Sequence, residues 1–221
     1  MQLAPTSVSA PTSADSGGWT AAPSPLPAAP QPNWFTRRRI AISLAGFTCL
    51  VVANVFWSEL VPYNPLAIGQ LPVASGLLLV LSGLALRSWA AGTLNKSRQL
   101  TTVGPFSLVR NPLYLGSFLM MVGFCILIRN WPAVVFVCGP LAVVYYQQIR
   151  FEEQRLAYLF PGQWPDYLRS VPRIVPRRLS RQMWAGWSLA EWRRNREYKA
   201  LLATGCGLAG VLLLRWYEMA L

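Results

Sequence analysis

Five long apolar segments, separated by loops of very unequal charge, restrict this chain to one kind of architecture. They are residues 40–57, 71–91, 113–128, 131–148 and 198–214. A helix needs roughly 20 apolar residues to cross a hydrocarbon core of about 30 Å, and each segment comes close to that length. The sequence therefore predicts an all-α, polytopic integral membrane helical bundle with about five transmembrane helices.

The basic residues are distributed as the positive-inside rule requires. Of 20 Lys and Arg, 18 lie in residues 37–39, 87–110 and 150–199, and only Arg129 and Arg215 lie elsewhere. This alternation predicts a multi-pass protein with a cytoplasmic N-terminus. The net charge of +12 then favours anionic lipid headgroups over nucleic acid, because no recognisable nucleic-acid module accompanies it.

Histidine is absent and the four cysteines lie inside apolar segments without CxxC spacing. The cysteines are typical of small buried hydrophobic residues, and the sequence predicts no metal site. A His-ligated metal and a His general base are both excluded.

The chain divides into a tail and a membrane domain. Residues 1–33 are rich in Pro, Ala and Ser with Asp15 as their one charge, which predicts disorder. Residues 34–221 form the membrane domain, with a motif-bearing core at 75–178 and a C-terminal interfacial segment and last helix at 179–221. In residues 154–198 several tryptophans are interleaved with Arg, a pattern typical of the headgroup boundary.

The third and fourth apolar segments are joined only by Arg129 and Asn130. So short a connection predicts an antiparallel helical hairpin whose tip lies at the outer face. Its two open ends, residues 110–114 and 147–153, must then meet on the cytoplasmic side. Charged side chains at such a membrane boundary are candidates for function.

The first of these ends has the pattern of a helix start. Asn111 is the expected N-cap and Pro112 the first helical residue. The positive end of the helix dipole would lie beside Arg110, where a carboxylate or phosphate can bind. At the second end, Tyr146, Arg150 and Glu153 share a helical stripe, in which Arg150 and Glu153 are expected to pair. The alternative interpretation is that this pair is an ordinary interfacial ion pair without a catalytic function.

Several linked motifs together resemble the isoprenylcysteine carboxyl methyltransferase family and its phospholipid methyltransferase relatives. The resemblance covers residues 75–178. Its first half is carried by Ala90-Ala91-Gly92-Thr93-Leu94, Lys96, Leu100, Thr102 and the run from Gly104 to Gly116. Its second half is carried by Glu152-Glu153, Leu156, Phe160, Trp164, Tyr167, Val171-Pro172-Arg173 and Pro176.

The resemblance implies a membrane enzyme that uses S-adenosylmethionine near the cytoplasmic face and receives a lipophilic acceptor from the bilayer. The cofactor's ammonium and sulfonium need negative charge, and its carboxylate needs a positive or N–H-rich pocket. Tyrosine rings can face the adenine or the sulfonium. The candidate cofactor-binding residues are Arg110, Asn111, Pro112, Tyr114, Tyr146, Glu152, Glu153 and Arg173.

For catalysis the candidates are Arg150 and Glu153. Arg150 is expected to orient an acceptor carboxylate while Glu153 fixes Arg150, and for an amine acceptor Glu153 would receive the proton. The chain departs from the family pattern at Asn111, where the eukaryotic enzymes have His, and at Pro161, which intervenes before Gly162.

The sequence leaves other functions open. The acceptor is expected to be an isoprenylcysteine-like carboxylate, with a phospholipid amine or another isoprenoid as alternatives. An NADPH-dependent sterol-type reductase shares a similar Arg-x-Pro-x-Tyr turn, but its usual acidic residue is replaced here by Ser117. A non-enzymatic membrane scaffold is the third class.

Overall fold

The structure, a computed structural model, describes residues 45–46, 49, 60–95 and 99–220. Within these ranges it contains helices and turns but no strand. The helices are α1 (Leu71–Thr93), α2 (Pro112–Leu127), α3 (Trp131–Leu159), α4 (Trp164–Ser170), α5 (Leu189–Arg194) and α6 (Tyr198–Ala220). Two 3₁₀ turns lie at Gly104–Ser107 and Arg181–Trp184. The predicted all-α class is confirmed.

Three of these helices are long and apolar enough to cross a membrane. They are α1 and α6, with 23 residues each, and α3, with 29. Helix α2 is apolar but has only 16 residues. The predicted tail 1–33 and nearly all of the predicted first span, 40–57, lie outside the described residues.

Helices α2 and α3 form the predicted hairpin. The connection contains Arg129, whose φ of 57° is the left-handed conformation that reverses the chain. Asn130 then caps α3, its Oδ1 accepting a hydrogen bond from Ala133 N at 2.8 Å. The two polar residues between the apolar segments thus make the turn.

Helix α3 is longer than its apolar segment and contains a π-helical turn. Val137–Leu141 is π-helical and includes Pro140, which has no N–H and would clash with the preceding turn of a regular α-helix. The helix continues past the predicted end at residue 148 to Leu159. The added residues include Arg, Glu and Gln side chains, which interrupt the apolar segment but are good helix formers, so the helix continues beyond the end of the apolar segment.

Helices α1 and α2 run antiparallel with their backbones in direct contact at two pairs of glycines. A Cβ atom added to Gly83 would lie 2.5 Å from Gly116 O, and one added to Gly123 would lie 2.6 Å from Gly76 O. Small residues permit such close approach in a membrane, where van der Waals packing drives helix association. The same seven-residue spacing on both helices is the sequence signal for this contact.

Arg129 and Arg215 are the two basic residues outside the basic clusters. Both bind backbone carbonyls of the loop before α1, at the end of the bundle opposite the basic loops. Arg129 Nη1 donates to Val61 O at 3.3 Å, and its guanidinium lies 4.9 Å from the ring centroid of Tyr63. Arg215 Nη1 donates to Pro62 O at 2.8 Å. Both arginines therefore secure the loop before α1, which explains their exceptional positions.

The C-terminal extension packs onto the end of α1. Asn195 Nδ2 donates to Ala91 O at 2.8 Å and to Leu94 O at 2.9 Å. Arg87 of α1 forms an ion pair with Glu197 at 2.9 Å, and the Glu197 side chain is only 5% exposed. Helix α6 follows and extends six residues beyond the predicted end at residue 214, to Ala220.

We expect Gly83→Leu to lower the free energy of unfolding by about 1–3 kcal/mol, the usual cost of overpacking. The new side chain would meet the backbone of Gly116 and force α1 away from α2. Gly205→Leu on α6 is the matched control, because a Cβ atom there meets nothing within 4 Å. Thermal unfolding in detergent, followed by tryptophan fluorescence, compares the two. Equal losses of stability would contradict the glycine contact.

Candidate active site

The two open ends of the α2–α3 hairpin meet, as the sequence predicts. Arg110 Nε lies 3.1 Å from Glu153 Oε1, with the two side chains 9% and 10% exposed. Asn111 Nδ2 donates to the same oxygen at 3.2 Å. The residue before α2 and the acidic end of α3 are therefore joined directly in a buried contact.

Arg173, from the segment after α4, completes this group. Its Nη2 lies 2.7 Å from Glu153 Oε2, and its Nε lies 3.1 and 3.2 Å from the two carboxylate oxygens. The hydrogen bond to Glu153 raises the pKa of Arg173. Arg110, Asn111, Glu153 and Arg173 are called the Glu153 cluster below. With two guanidinium groups and one carboxylate, the cluster keeps a net positive charge that can receive an anion.

The expected pairing of Arg150 with Glu153 is wrong. Glu153 accepts hydrogen bonds from the other members of its cluster at both oxygens. Arg150 is exposed on α3, and its side chain makes no hydrogen bond or ion pair within the described part of the chain. Glu153 pairs instead with donors that other backbone segments hold in place. An exposed arginine would lose side-chain entropy on pairing with this carboxylate and would be screened by water.

Glu152 belongs to a neighbouring group rather than to the Glu153 cluster. Tyr114 Oη donates to Glu152 Oε1 at 2.6 Å, and Gln148 Nε2 donates to the same oxygen at 2.9 Å. Gln148 is only 3% exposed, and its Oε1 has no hydrogen-bond partner among the described residues. An unpaired buried carbonyl costs about 1–3 kcal/mol, so this atom is suited to accept from a ligand.

Gln148 was not among the candidates from the sequence. Its signal is the pair Gln147-Gln148 inside an otherwise apolar stretch. A buried amide needs hydrogen-bond partners for both its nitrogen and its oxygen, and among the described residues only the nitrogen of Gln148 has one.

Tyr114 and Tyr146 lie at an apolar cavity between α2 and α3. The cavity has a volume of about 520 Å³, and its wall also includes Phe118, Ile149 and Ile174. Tyr146 is fixed by Arg173, whose guanidinium lies 5.4 Å from the ring centroid. Cation–π contact of this kind holds a ring in place beside a charge. The polar cluster and the apolar cavity are therefore adjacent.

Pro112 and Asn111 occupy the predicted positions, but the Asn111 side chain does not cap the helix. Pro112 begins α2, and Asn111 precedes it without a side-chain capping bond. Instead Asn111 Nδ2 donates to Glu153, and also to Arg173 O at 3.3 Å. The eukaryotic enzymes of the family that the sequence resembles have a histidine at this position. Here the amide of Asn111 supplies a neutral N–H donor to Glu153.

The second half of the motif set holds Arg110 in place. Tyr167 Oη donates to Phe106 O at 2.8 Å, and burial raises the pKa of Tyr167, which keeps the hydroxyl protonated as a donor. Arg110 Nη1 donates to Leu168 O and Val171 O, both at 2.9 Å. Helix α4 therefore fixes both the 3₁₀ turn and the guanidinium of Arg110.

Trp164 differs from the other tryptophans of this region. It is buried with Leu100 and Tyr167 in a small core beneath α4. Trp184 is 79% exposed and Trp187 is 51% exposed. Trp184 and Trp187, unlike Trp164, have the exposure expected at a headgroup boundary.

A second, larger cavity lies on the other side of the Glu153 cluster. Its volume is about 1250 Å³. Its wall contains five arginines and one aspartate, namely Arg110, Arg169, Arg173, Arg177, Arg178 and Asp166. Arg173 lines this basic cavity while the next residue, Ile174, lines the apolar one. Consecutive residues of this segment therefore line two different cavities.

Comparison with known proteins agrees with these motifs. The phospholipid methyltransferase family model matches residues 66–163. The nickel-cobalt-cadmium resistance protein NccN of Alcaligenes xylosoxydans xylosoxydans is 30% identical over 159 residues, 71% of each chain. The protein-S-isoprenylcysteine O-methyltransferase of Schizosaccharomyces pombe is 29% identical over 111 residues, 50% of this chain and 46% of its own.

The chain belongs to the isoprenylcysteine carboxyl methyltransferase-like family of integral membrane methyltransferases. The cobalt-zinc-cadmium resistance protein CzcN of Cupriavidus metallidurans is a further relative, 28% identical over 147 residues, 66% of this chain and 67% of its own. The chain spans about half the length of the isoprenylcysteine methyltransferases that it matches. No solved structure gives a significant match.

Two of these relatives are named for resistance to metals. In residues 60–95 and 99–220 no three His, Cys, Asp or Glu side chains lie together as a metal site would require.

We expect Glu153→Ala to destabilise the protein by about 3–5 kcal/mol, because it leaves the buried guanidinium of Arg110 without its counter-charge and also removes the partner of the partly exposed Arg173. Asp166→Ala is the control: its pair with Arg169 has both side chains 78% exposed and should contribute about 0–1 kcal/mol. Chemical unfolding in detergent measures the difference. A Glu153→Ala variant as stable as Asp166→Ala would show that the cluster does not hold the hairpin ends together.

Proposed function

We propose that this methyltransferase transfers a methyl group from S-adenosylmethionine to the carboxylate of an isoprenylcysteine-like lipophilic acceptor. The observation that carries the proposal is the apolar cavity bounded by Tyr114 and Tyr146 directly beside the Glu153 cluster. A lipid chain and a charged methyl donor can be bound side by side only where such surfaces adjoin.

The residues fit the donor's three charged groups. Glu152 and the unpaired Oε1 of Gln148 form an acceptor-rich group for an ammonium. Arg110 and Arg173 retain positive charge for a carboxylate. The rings of Tyr114 and Tyr146 provide faces for a sulfonium or an adenine. When bound, S-adenosylmethionine would supply the electrophilic methyl group.

The chain's own part in the reaction is to position the acceptor and exclude water. The apolar wall of the cavity holds the lipid chain and removes water from a carboxylate at its polar end. A carboxylate acceptor needs no general base. An amine acceptor is less well served, because both oxygens of Glu153 are already engaged by donors from Arg110, Asn111 and Arg173. The role of Arg150 in orienting the acceptor stays a prediction.

The orientation that we propose places this site and the N-terminus at the cytoplasmic face. The Glu153 cluster lies at the end of the bundle that carries the basic loops. At the opposite end, Arg129 and Arg215 bind loop carbonyls. The charge bias between the two ends follows the positive-inside rule.

The proposal is tested by methyl transfer with purified protein in nanodiscs. S-adenosylmethionine with a labelled methyl group is supplied with an S-farnesylcysteine derivative, with phosphatidylethanolamine, or with no acceptor. We expect base-labile label in the farnesylcysteine product only. Label in phosphatidylethanolamine alone would overturn the carboxylate acceptor, and the absence of both label and S-adenosylhomocysteine binding would overturn the function.

We expect Glu152→Gln to weaken S-adenosylhomocysteine binding about 10- to 100-fold, because a charged hydrogen bond contributes about 1.5–3 kcal/mol. The variant keeps the size of the side chain and its place beside Tyr114. Glu191→Gln in α5 is the control, since within the described residues the Glu191 side chain pairs only with Arg194, whose side chain is 49% exposed. Isothermal titration calorimetry gives both affinities, and equal values would remove Glu152 from the site.

We expect Gly139→Phe to raise the KM for the lipophilic acceptor about tenfold or more while leaving S-adenosylhomocysteine affinity unchanged. Gly139 lines the apolar cavity, and an added Cβ atom there meets nothing within 4 Å, so the ring can occupy the cavity. Gly205→Phe, at an equally open position on α6, is the control. Steady-state kinetics at saturating donor decide the outcome. An unchanged KM would show that the acceptor does not use this cavity.

A further inference from the structure

The basic cavity has an outer part that the proposed methyl transfer does not use. Its inner wall contains Arg110 and Arg173, which Glu153 already binds. Its outer wall contains Arg177 and Arg178, followed by Leu179 and Ser180. We infer that this outer wall is a binding site for the phosphate group of an anionic membrane lipid.

The charge balance of the cavity is the first support. Of its five arginines, two are held by Glu153 and Arg169 is paired with Asp166. Arg177 and Arg178 form no ion pair or hydrogen bond within the described part of the chain. Two neighbouring guanidinium groups without a carboxylate present the donors that a phosphate group accepts, often in bidentate fashion.

The apolar residues around these arginines distinguish a lipid from a soluble anion. Val175 precedes the pair and is 72% exposed, and Leu179 follows it and is 82% exposed. Trp184, on the next turn, is 79% exposed. Apolar side chains that flank basic ones in this way insert at the boundary of headgroups and acyl chains, which places the guanidinium groups at the level of the phosphates.

Hydrogen-bonding groups complete the site. The Ser180 hydroxyl accepts from Gln182 N at 3.2 Å and retains its own proton for donation. Both residues line the basic cavity. A phosphate group between the arginines and this turn would receive charged and neutral donors together, as anionic headgroups usually do in proteins.

The test uses the full-length protein in a neutral detergent and measures binding by native mass spectrometry and by thermal shift. The probes are dihexanoylphosphatidylglycerol, dihexanoylphosphatidylcholine and inorganic phosphate. We expect the phosphatidylglycerol to bind and to raise the melting temperature, with weaker effects from the other two. Binding should weaken with salt, because the contact is electrostatic.

The double variant Arg177→Gln, Arg178→Gln should weaken phosphatidylglycerol binding at least tenfold. The matched control is Arg155→Gln, Arg193→Gln, which removes the same charge from exposed arginines outside both cavities. Leu179→Ser should weaken the lipid but not inorganic phosphate. Equal losses of phosphatidylglycerol binding in the two double variants would show that the lipid responds only to net charge, which would overturn the site. Phosphate binding as tight as lipid binding would overturn the lipid as its ligand. Neither readout depends on methyl transfer.

Discussion

A single buried carboxylate organises the functional end of this protein. Glu153 accepts hydrogen bonds from Arg110 and Asn111 before α2 and from Arg173 after α4. Two stretches that are far apart in sequence, residues 110–111 and the segment after α4, are therefore tied to one turn of α3. A buried carboxylate is tolerated only with this degree of compensation, so each donor's position constrains the others. The cluster is both a structural joint and the positive pole of the proposed cofactor site.

The rest of the bundle holds the Glu153 cluster at a boundary between apolar and polar surroundings. Glycine pairs let α1 lie against α2, and the ion pair between Arg87 and Glu197 fastens the C-terminal extension to α1. The consecutive residues Arg173 and Ile174 then line different cavities, one basic and one apolar. The proposed reaction needs such a boundary, because its methyl donor is charged while its proposed acceptor is apolar.

The sequence predicted the hairpin and the meeting of its ends because both depend on local rules. Two apolar segments joined by Arg129 and Asn130 have one compact solution, in which residues 110 and 153 come to the same end. The pairing of Arg150 with Glu153 was wrong for the opposite reason. Helical spacing makes two residues possible neighbours, but it does not reveal which buried donors other segments bring to the same carboxylate. The sequence did not predict a role for Gln148 for the same reason, since its oxygen becomes buried without a partner only when the helices pack.

By itself, the sequence determined the membrane class, the helical hairpin, the basic end of the bundle and the family motifs, because hydrophobic length, loop charge and residue order are properties of the linear chain. Only the tertiary structure decided the partners of Glu153, the burial of Trp164 and the division of the site into an apolar and a basic cavity. These depend on which side chains meet across segments, and burial strengthens such contacts by removing the water that would otherwise compete for them.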